Sequence, residues 1–253
     1  MAKAISLSLS DVLTHVVKFG IDIYPPISYR EEQTRLNIFY DEMRSIQPQL
    51  FQKVHASAQE FKVFADFRAP NDEAKRVTVS TFELTSRGPV FVYPLKCPPP
   101  IGDTAIAADY LELFTQARSM FFRAIPGRQS LRLGLIREVV FGTGDEAVNT
   151  FFARQAELAN AILTGGKSIR VYRDDRHNHR IVIDSVEIAR ETRLAVGTTV
   201  SEPTEHGLQI TLDVNNEAIR PLEEADIQGV IERANSLWPE ELLSYLNGEG
   251  APE

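Results

Sequence analysis

The sequence predicts an α+β protein built from two half-repeats, residues 1–127 and 128–253, that form one continuous globular unit. Three observations carry this. Apolar residues alternate with polar ones in several runs, which is the two-residue period of a half-buried strand. Other runs place apolar residues three and four apart, the period of an amphipathic helix. The order of these runs also repeats: Lys18-Phe19-Gly20-Ile21 matches Arg132-Leu133-Gly134-Leu135 at a spacing of 114 residues, Ser28–Glu31 matches Thr143–Glu146 at 115, Asn37–Tyr40 matches Asn149–Phe152 at 112, and Ala108-Asp109 matches Ala225-Asp226 at 117. Matches that keep one order and drift by only a few residues are the mark of an internal duplication.

Taken in order, His15, Val17, Phe19, Ile21 and Ile23 predict a first strand with one apolar side. Leu36, Phe39, Met43 and Ile46 predict a helix from about Glu31 to Ile46, and Ser28 with Glu31, like Thr143 with Glu146, has the form of a capping box. Val77, Val79 and Thr81 predict a further strand, bounded by the turn chemistry of Pro70-Asn71-Asp72 and Arg87-Gly88. Tyr110, Leu113, Phe114, Ala117 and Phe121 place a helix over Ala105–Phe122. The second half repeats the sequence of elements. Leu131, Leu133 and Leu135 give a strand, and Val148, Phe151, Phe152, Leu158 and Ile162 give a helix from Asp145. Leu208, Ile210, Leu212 and Val214 give a late strand. Ile227, Val230, Ile231, Ala234, Leu237 and Trp238 give a closing helix after Pro221. The expected sheet is mostly antiparallel and curved, with helices on one face, because that arrangement suits strands with one apolar side.

The element order is similar to the duplicated saddle of the TATA-binding protein, in which helices cover the convex side of a curved sheet and the concave side is open to a ligand. The likeness is one of order alone and implies nothing about DNA. Pro25-Pro26, the strand Leu133-Gly134-Leu135-Ile136-Arg137 and the run from Leu222 to Leu246 also resemble features of a sporadically distributed bacterial family of proteins of this length and of unknown function. Glu138-Val139 departs from that family's strand pattern. The resemblance brings no catalytic residue with it.

Composition narrows the function classes. A hydrophobic fraction of 43% with 25% charged residues is that of a folded globular chain, and a net charge of −8 argues against a dedicated nucleic-acid binder. The single cysteine, Cys97, excludes an internal disulfide framework. No run reaches the roughly 18 apolar residues of a membrane-spanning helix, and the segment Met1–Leu13 has no continuous apolar core of a signal peptide. The expectation is a cytoplasmic protein that does not enter a membrane.

Chemistry is thin. Asp174, Asp175, His177 and His179 could hold a metal ion, although their place between Val171 and Ile181 reads more simply as a hairpin turn. Lys96 beside Cys97 could favour a thiolate, with Pro98–Pro100 as a polyproline spacer. Gly142-Thr143-Gly144 meets neither nucleotide fingerprint and reads as a capping turn. Glu223-Glu224 and Glu240-Glu241 suit helix starts or exposed faces. Arg118, Arg123, Arg128, Arg132 and Arg137, with Arg170, Arg173, Arg176 and Arg180, could form a single-strand platform, but acidic residues are interleaved with them. No catalytic, cofactor-binding or metal residue is assigned, and no cofactor is expected.

The expected function is therefore a protein-interaction module, its rivals being a small-ligand binder or enzyme with a pocket between sheet and helices, and a nucleic-acid saddle. The segment Pro89–Leu95 is apolar on both sides, and Pro94 lacks an N–H, which points to a sheet edge. Val90, Phe91, Val92 and Tyr93 are accordingly expected at an interface, in a homodimer or with another protein.

Overall fold

The computed structural model describes residues 6–57, 60–69, 72–94, 108–156, 162–163, 167–173, 177–193, 199–216 and 220–248. Its first half holds β1 (Val12–Tyr24), α1 (Tyr29–Ile46), β2 (Lys53–Ala56), β3 (Phe61–Ala69), β4 (Asp72–Leu84), β5 (Pro89–Pro94) and α2 (Ala108–Ala124). The second holds β6 (Gln129–Phe141), α3 (Asp145–Ala156), β7 (Ile162–Leu163), β8 (Lys167–Arg173), β9 (His177–Arg193), β10 (Thr199–Asn216) and α4 (Glu224–Ser236). A kinked segment, Leu237–Glu241, in which Trp238 is extended, leads into α5 (Leu242–Asn247).

The ten strands form one open sheet in the order β2-β3-β4-β5-β1-β6-β10-β9-β8-β7, and every pairing is antiparallel. At its centre β1 lies against β6, and Gly20 stands directly opposite Gly134. The alternation read from the sequence holds here: Val17, Phe19, Ile21, Leu133, Leu135, Arg137, Val139, Leu212 and Val214 are buried, and Lys18, Gly20, Gly134, Ile136, Glu138 and Asp213 between them are not. Phe19, Phe91 and Phe82 stand in register on neighbouring strands. Phe114 of α2 stacks on Phe19 with ring centroids 4.3 Å apart and meets Phe91 edge-on at 5.7 Å, while Phe39 of α1 lies 5.0 Å from Phe82. Val148 and Phe151 of α3 and Ile227, Val230, Ile231 and Ala234 of α4 join the same core. Aromatic pairs of this kind add to the burial term, so the first half is held largely by rings.

Four expectations need correction. The strand Pro89–Pro94 is not an edge: β5 lies between β4 and β1. Its pairing with β4 covers only Pro89, Val90 and Phe91, whereas Pro94 is paired with Val16 on the other side. Pro94 thus lies past the end of the β4 pairing and is paired on the β1 side alone. The third helix is described over Asp145–Ala156 and Leu158 lies outside the described residues, but Ile162, expected in that helix, belongs to β7. Ser28 is the N-cap of α1 but makes no side-chain cap bond, and Thr143 Oγ1 is buried with no hydrogen-bond partner, so neither predicted capping box closes. The basic middle of the chain is not a patch either. Arg118, Arg123 and Arg128 pair with Glu224, Glu42 and Glu32, and Arg137 is buried.

Candidate binding face

The sheet has a side that the apolar core does not occupy, and β1 and β6 run through its middle. Lys18, Gly20 and Asp22 on β1 stand opposite Ile136, Gly134 and Arg132 on β6, and all six are half-exposed. Strand alternation turns them away from Phe19 and Leu135. Val90 of β5 pairs with Gly20, and Asn215 of β10 pairs with Gly134, so the glycines form the low centre of a row that crosses four strands.

Among the described residues nothing requires these two glycines. Neither has a positive φ. A Cβ at Gly20 would find its nearest neighbour, Val90 Cγ2, at 3.9 Å, and one at Gly134 would find Asp213 Oδ1 at 3.7 Å and Asn215 Cβ at 3.8 Å. These are ordinary contact distances. Gly88 and Gly207 differ, since a Cβ there would collide with the carbonyl oxygen of Ile21 or of Phe141. A glycine inside a strand costs about 0.5–1 kcal/mol relative to alanine and often marks a place where another group approaches the backbone closely.

Beside the glycines lies a polar network. Arg132 donates through Nε (3.1 Å) and Nη2 to Asn215 Oδ1, and Asn215 Nδ2 donates to Asp213 Oδ1 at 3.2 Å. Asn178 Nδ2 also donates to Asn215 Oδ1, at 3.3 Å. Among the described residues neither Arg132 nor Asp213 forms an ion pair, although Asp22 stands opposite Arg132 in register; Asp22 pairs with Arg87 instead. Lys18 is neutralised by Glu138 at 2.6 Å.

On the core side of β6, Arg137 is 1% exposed. It donates through Nη1 to His15 Nε2 at 3.2 Å and through Nη2 to Asn235 Oδ1 at 2.7 Å, and its guanidinium carbon lies 5.9 Å from the centre of the Trp238 ring. Its Nε has no partner, and no carboxylate pairs with it among the described residues. Burial pushes its pKa down to about 9, so it stays charged at neutral pH. A guanidinium can only donate, so His15 Nε2 must accept and the ring proton sits on Nδ1. Burial first, and the Arg137 charge second, push the His15 pKa down to about 3. His15 is a neutral acceptor built into the core, and the cluster holds β1, β6, α4 and the turn at Trp238 together.

A third polar group is on the surface. His206 Nδ1 lies 2.7 Å from Asp145 Oδ1, which also accepts the His206 backbone N–H at 3.0 Å; these bonds lower the Asp145 pKa. With Val148, Asn149 and Ser185 the pair lines a shallow cavity of about 160 Å³. The side chains of His206 and Asp145 are 45% and 66% exposed, so the pair is a solvated tie between α3 and β10 rather than an activated base. A larger groove of about 510 Å³ lies along α2, lined by Ile46 of α1 and by Met120, Ser119 and Arg123.

Of the residues singled out in the sequence, Cys97, Asp174 and Asp175 lie outside the described residues. His177 and His179 share one side of β9 under α4, with ring centres 6.3 Å apart. Arg233 Nε donates to His179 Nε2 at 3.2 Å, and His177 Nε2 would lie 3.2 Å from a Cβ at Gly229. Among the described residues no three His, Cys, Asp or Glu side chains converge as metal ligands, and no helix is long and apolar enough to cross a membrane. Phe91, Val92 and Tyr93 are buried inside this chain, with Tyr93 against Phe19 and Tyr110; Val90 alone of the four borders the glycine row half-exposed. Sequence reasoning missed Asn215 and Asp213, and it named Arg132 only as one member of a basic stretch. The signal available was Gly20 and Gly134 matched between the halves, each inside a strand. Comparison with protein-family models finds no match for this chain, nor does comparison with curated proteins or with solved structures.

Proposed function

We propose that the chain is a binding module: two copies of a strand–helix–strands–helix unit share one sheet, helices cover one of its faces, and the other face receives a protein partner or a second copy. The duplication is supported by the sheet order, which reads the same from either end when β1 is matched with β6, β2 with β7, β3 with β8, β4 with β9 and β5 with β10. The pairing of Gly20 with Gly134 then lies on the pseudo-two-fold. The placement of helices is supported by the side chains they meet: Phe19, Phe82 and Phe91 under α1 and α2, and Phe141 and His15 under Trp238, have the same parity across the sheet.

The observation that carries the function is the pair of glycines that neither φ nor packing demands. They weaken the two central strands and leave bare backbone on the half-exposed face, which makes sense where something docks there. Lys18, Asp22, Arg132, Glu138 and Asp213 give that face both signs of charge, which disfavours a nucleic-acid ligand.

A photo-crosslinking residue in place of Ile136, on this face, is expected to capture protein in cells. The same residue in place of Glu31, on the exposed side of α1, is expected not to. Equal capture from both positions, or capture from Glu31 alone, overturns the assignment of the face.

A further inference from the structure

The face carries a more specific arrangement, whose reading rests on the function proposed above. Asn215 spans Arg132 and Asp213: its carbonyl oxygen accepts from the guanidinium and its amide nitrogen donates to the carboxylate. The two charged groups therefore already grip one carboxamide, and a carboxamide has the donor and acceptor of a peptide bond. Each keeps a second set of atoms. Arg132 Nη1 and Asp213 Oδ2 make no hydrogen bond among the described residues, and both side chains are half-exposed. Asp213 Oδ1 borders the space above Gly134, so a group seated there meets the carboxylate directly.

We infer that this row binds the backbone of an extended peptide segment from a partner protein, laid over Gly20 and Gly134 with a carbonyl toward Arg132 and an N–H toward Asp213. Charge complementarity favours this occupant. An anion would satisfy Arg132 and be repelled by Asp213, and a cation would meet the reverse. A neutral amide satisfies both. A second copy of the chain fits less well: two such faces meeting about a dyad would set glycine row against glycine row and leave a void at the centre of the contact. Bare glycine backbone instead lets a strand-like segment approach as closely as another sheet layer would forbid.

The test is a selection of displayed random peptides on the full-length chain, followed by fluorescence polarisation of the winners against variants. Selected peptides are expected to lose at least about tenfold in affinity on Gly134→Leu, which fills the row, and on Asp213→Asn and Arg132→Ala, which remove one grip each. Gly134→Leu must melt cooperatively for the comparison to count. Gly134→Ala, which adds only a Cβ at ordinary contact distance, supplies a second variant with a smaller loss. Winners indifferent to all of these substitutions overturn the peptide assignment. Failure to select any peptide, together with a dimer by light scattering that Gly134→Leu dissociates, overturns the peptide but keeps the face as a binding surface. A chain that neither selects peptides, nor self-associates, nor crosslinks through Ile136 overturns both readings.

Discussion

Arg132 and Arg137 sit five residues apart on the same strand and live in opposite worlds. The odd number between them sends their side chains to opposite faces of β6. Arg137 is sealed under Trp238 and α4, with a neutral histidine and an amide as acceptors. Arg132 stays half in water with an amide beside it and free donors to spare. Neither has a carboxylate partner among the described residues. Burial turns the first cation into a structural post, held through both Nη atoms. Partial exposure leaves the second available for a ligand. Composition counts both equally, and only parity separates them.

The comparison can be broken most severely by uncovering Arg137. A chain ended after Ser236 loses Leu237, Trp238, Leu242, Tyr245 and Leu246, all buried. At about 1.5–3 kcal/mol for each side chain, the loss rivals the roughly 5–15 kcal/mol that holds a domain together. Such a chain is expected to lack a cooperative thermal transition; one that melts like the full chain would show that the C-terminal turn and helix do not hold the core.

Next in size, Arg137→Ala is expected to lower stability by about 3–5 kcal/mol in urea melts, because it strands the acceptors His15 and Asn235 and leaves a cavity. Arg137→Met, which fills the space without a charge, is expected to cost much less. Equal losses for the two would mean that the charge itself, not the volume, is what the site needs.

The His15 ring gives a pH-dependent version of the same test. Its pKa in the fold is about 3, below the ordinary value near 6.5. Between those values the unfolded chain binds a proton that the folded chain refuses. Stability from this group is therefore complete above about pH 6.5 and is lost as the pH falls toward 3. Between pH 7 and pH 5 the loss is about 2 kcal/mol. His15→Gln, which still offers Arg137 an oxygen acceptor, is expected to flatten that part of the pH–stability curve, measured by urea melts of the two proteins side by side. Identical curves would place the proton elsewhere.

The smallest effects belong to the open face. Gly20→Ala and Gly134→Ala are expected to leave stability unchanged or raise it by about 0.5–1 kcal/mol. Gly207→Ala, by contrast, drives a Cβ into the Phe141 carbonyl and is expected to destabilise. Three equal melting temperatures would erase the distinction between a glycine the fold needs and one it does not.

Much of the scaffold was legible because it depends on period. The sides of β1 and β6 followed from alternation, and α1 and α2 from spacings of three and four; α1 ends at Ile46 as expected, while its start and the end of α2 each differ by two residues. The position of β5 was not legible. Pro94 disqualifies one hydrogen-bonding side of one residue, and the sequence does not say how far the neighbouring strand extends. The third helix was read as far as Ile162 because that residue keeps the helical period by chance, while it pairs in β7. The polar row on the open face was hidden for a different reason. Arg132 meets Asn215, and through it is linked to Asp213, only by the register of β6 with β10, and that is a property of tertiary pairing across some eighty residues. A pair of unforced glycines can be recognised only when their surroundings are known.

One small contact has a topological consequence. The backbone N–H of Leu7 donates to Asn247 Oδ1 at 2.7 Å, and Asn247 Nδ2 returns a bond to the Leu7 carbonyl at 3.0 Å. Residues from the two ends of the described chain are thus tied together, while the two halves meet in sequence at a short turn around Gly127, whose φ of 78° suits it to a tight reversal. A short linker could join the ends and a cut near Gly127 could open the ring, giving a circular permutant in which the present second half is made first. In such a molecule the order in which the halves are synthesised is reversed, and the sheet would build around the same central pair of strands from the other direction.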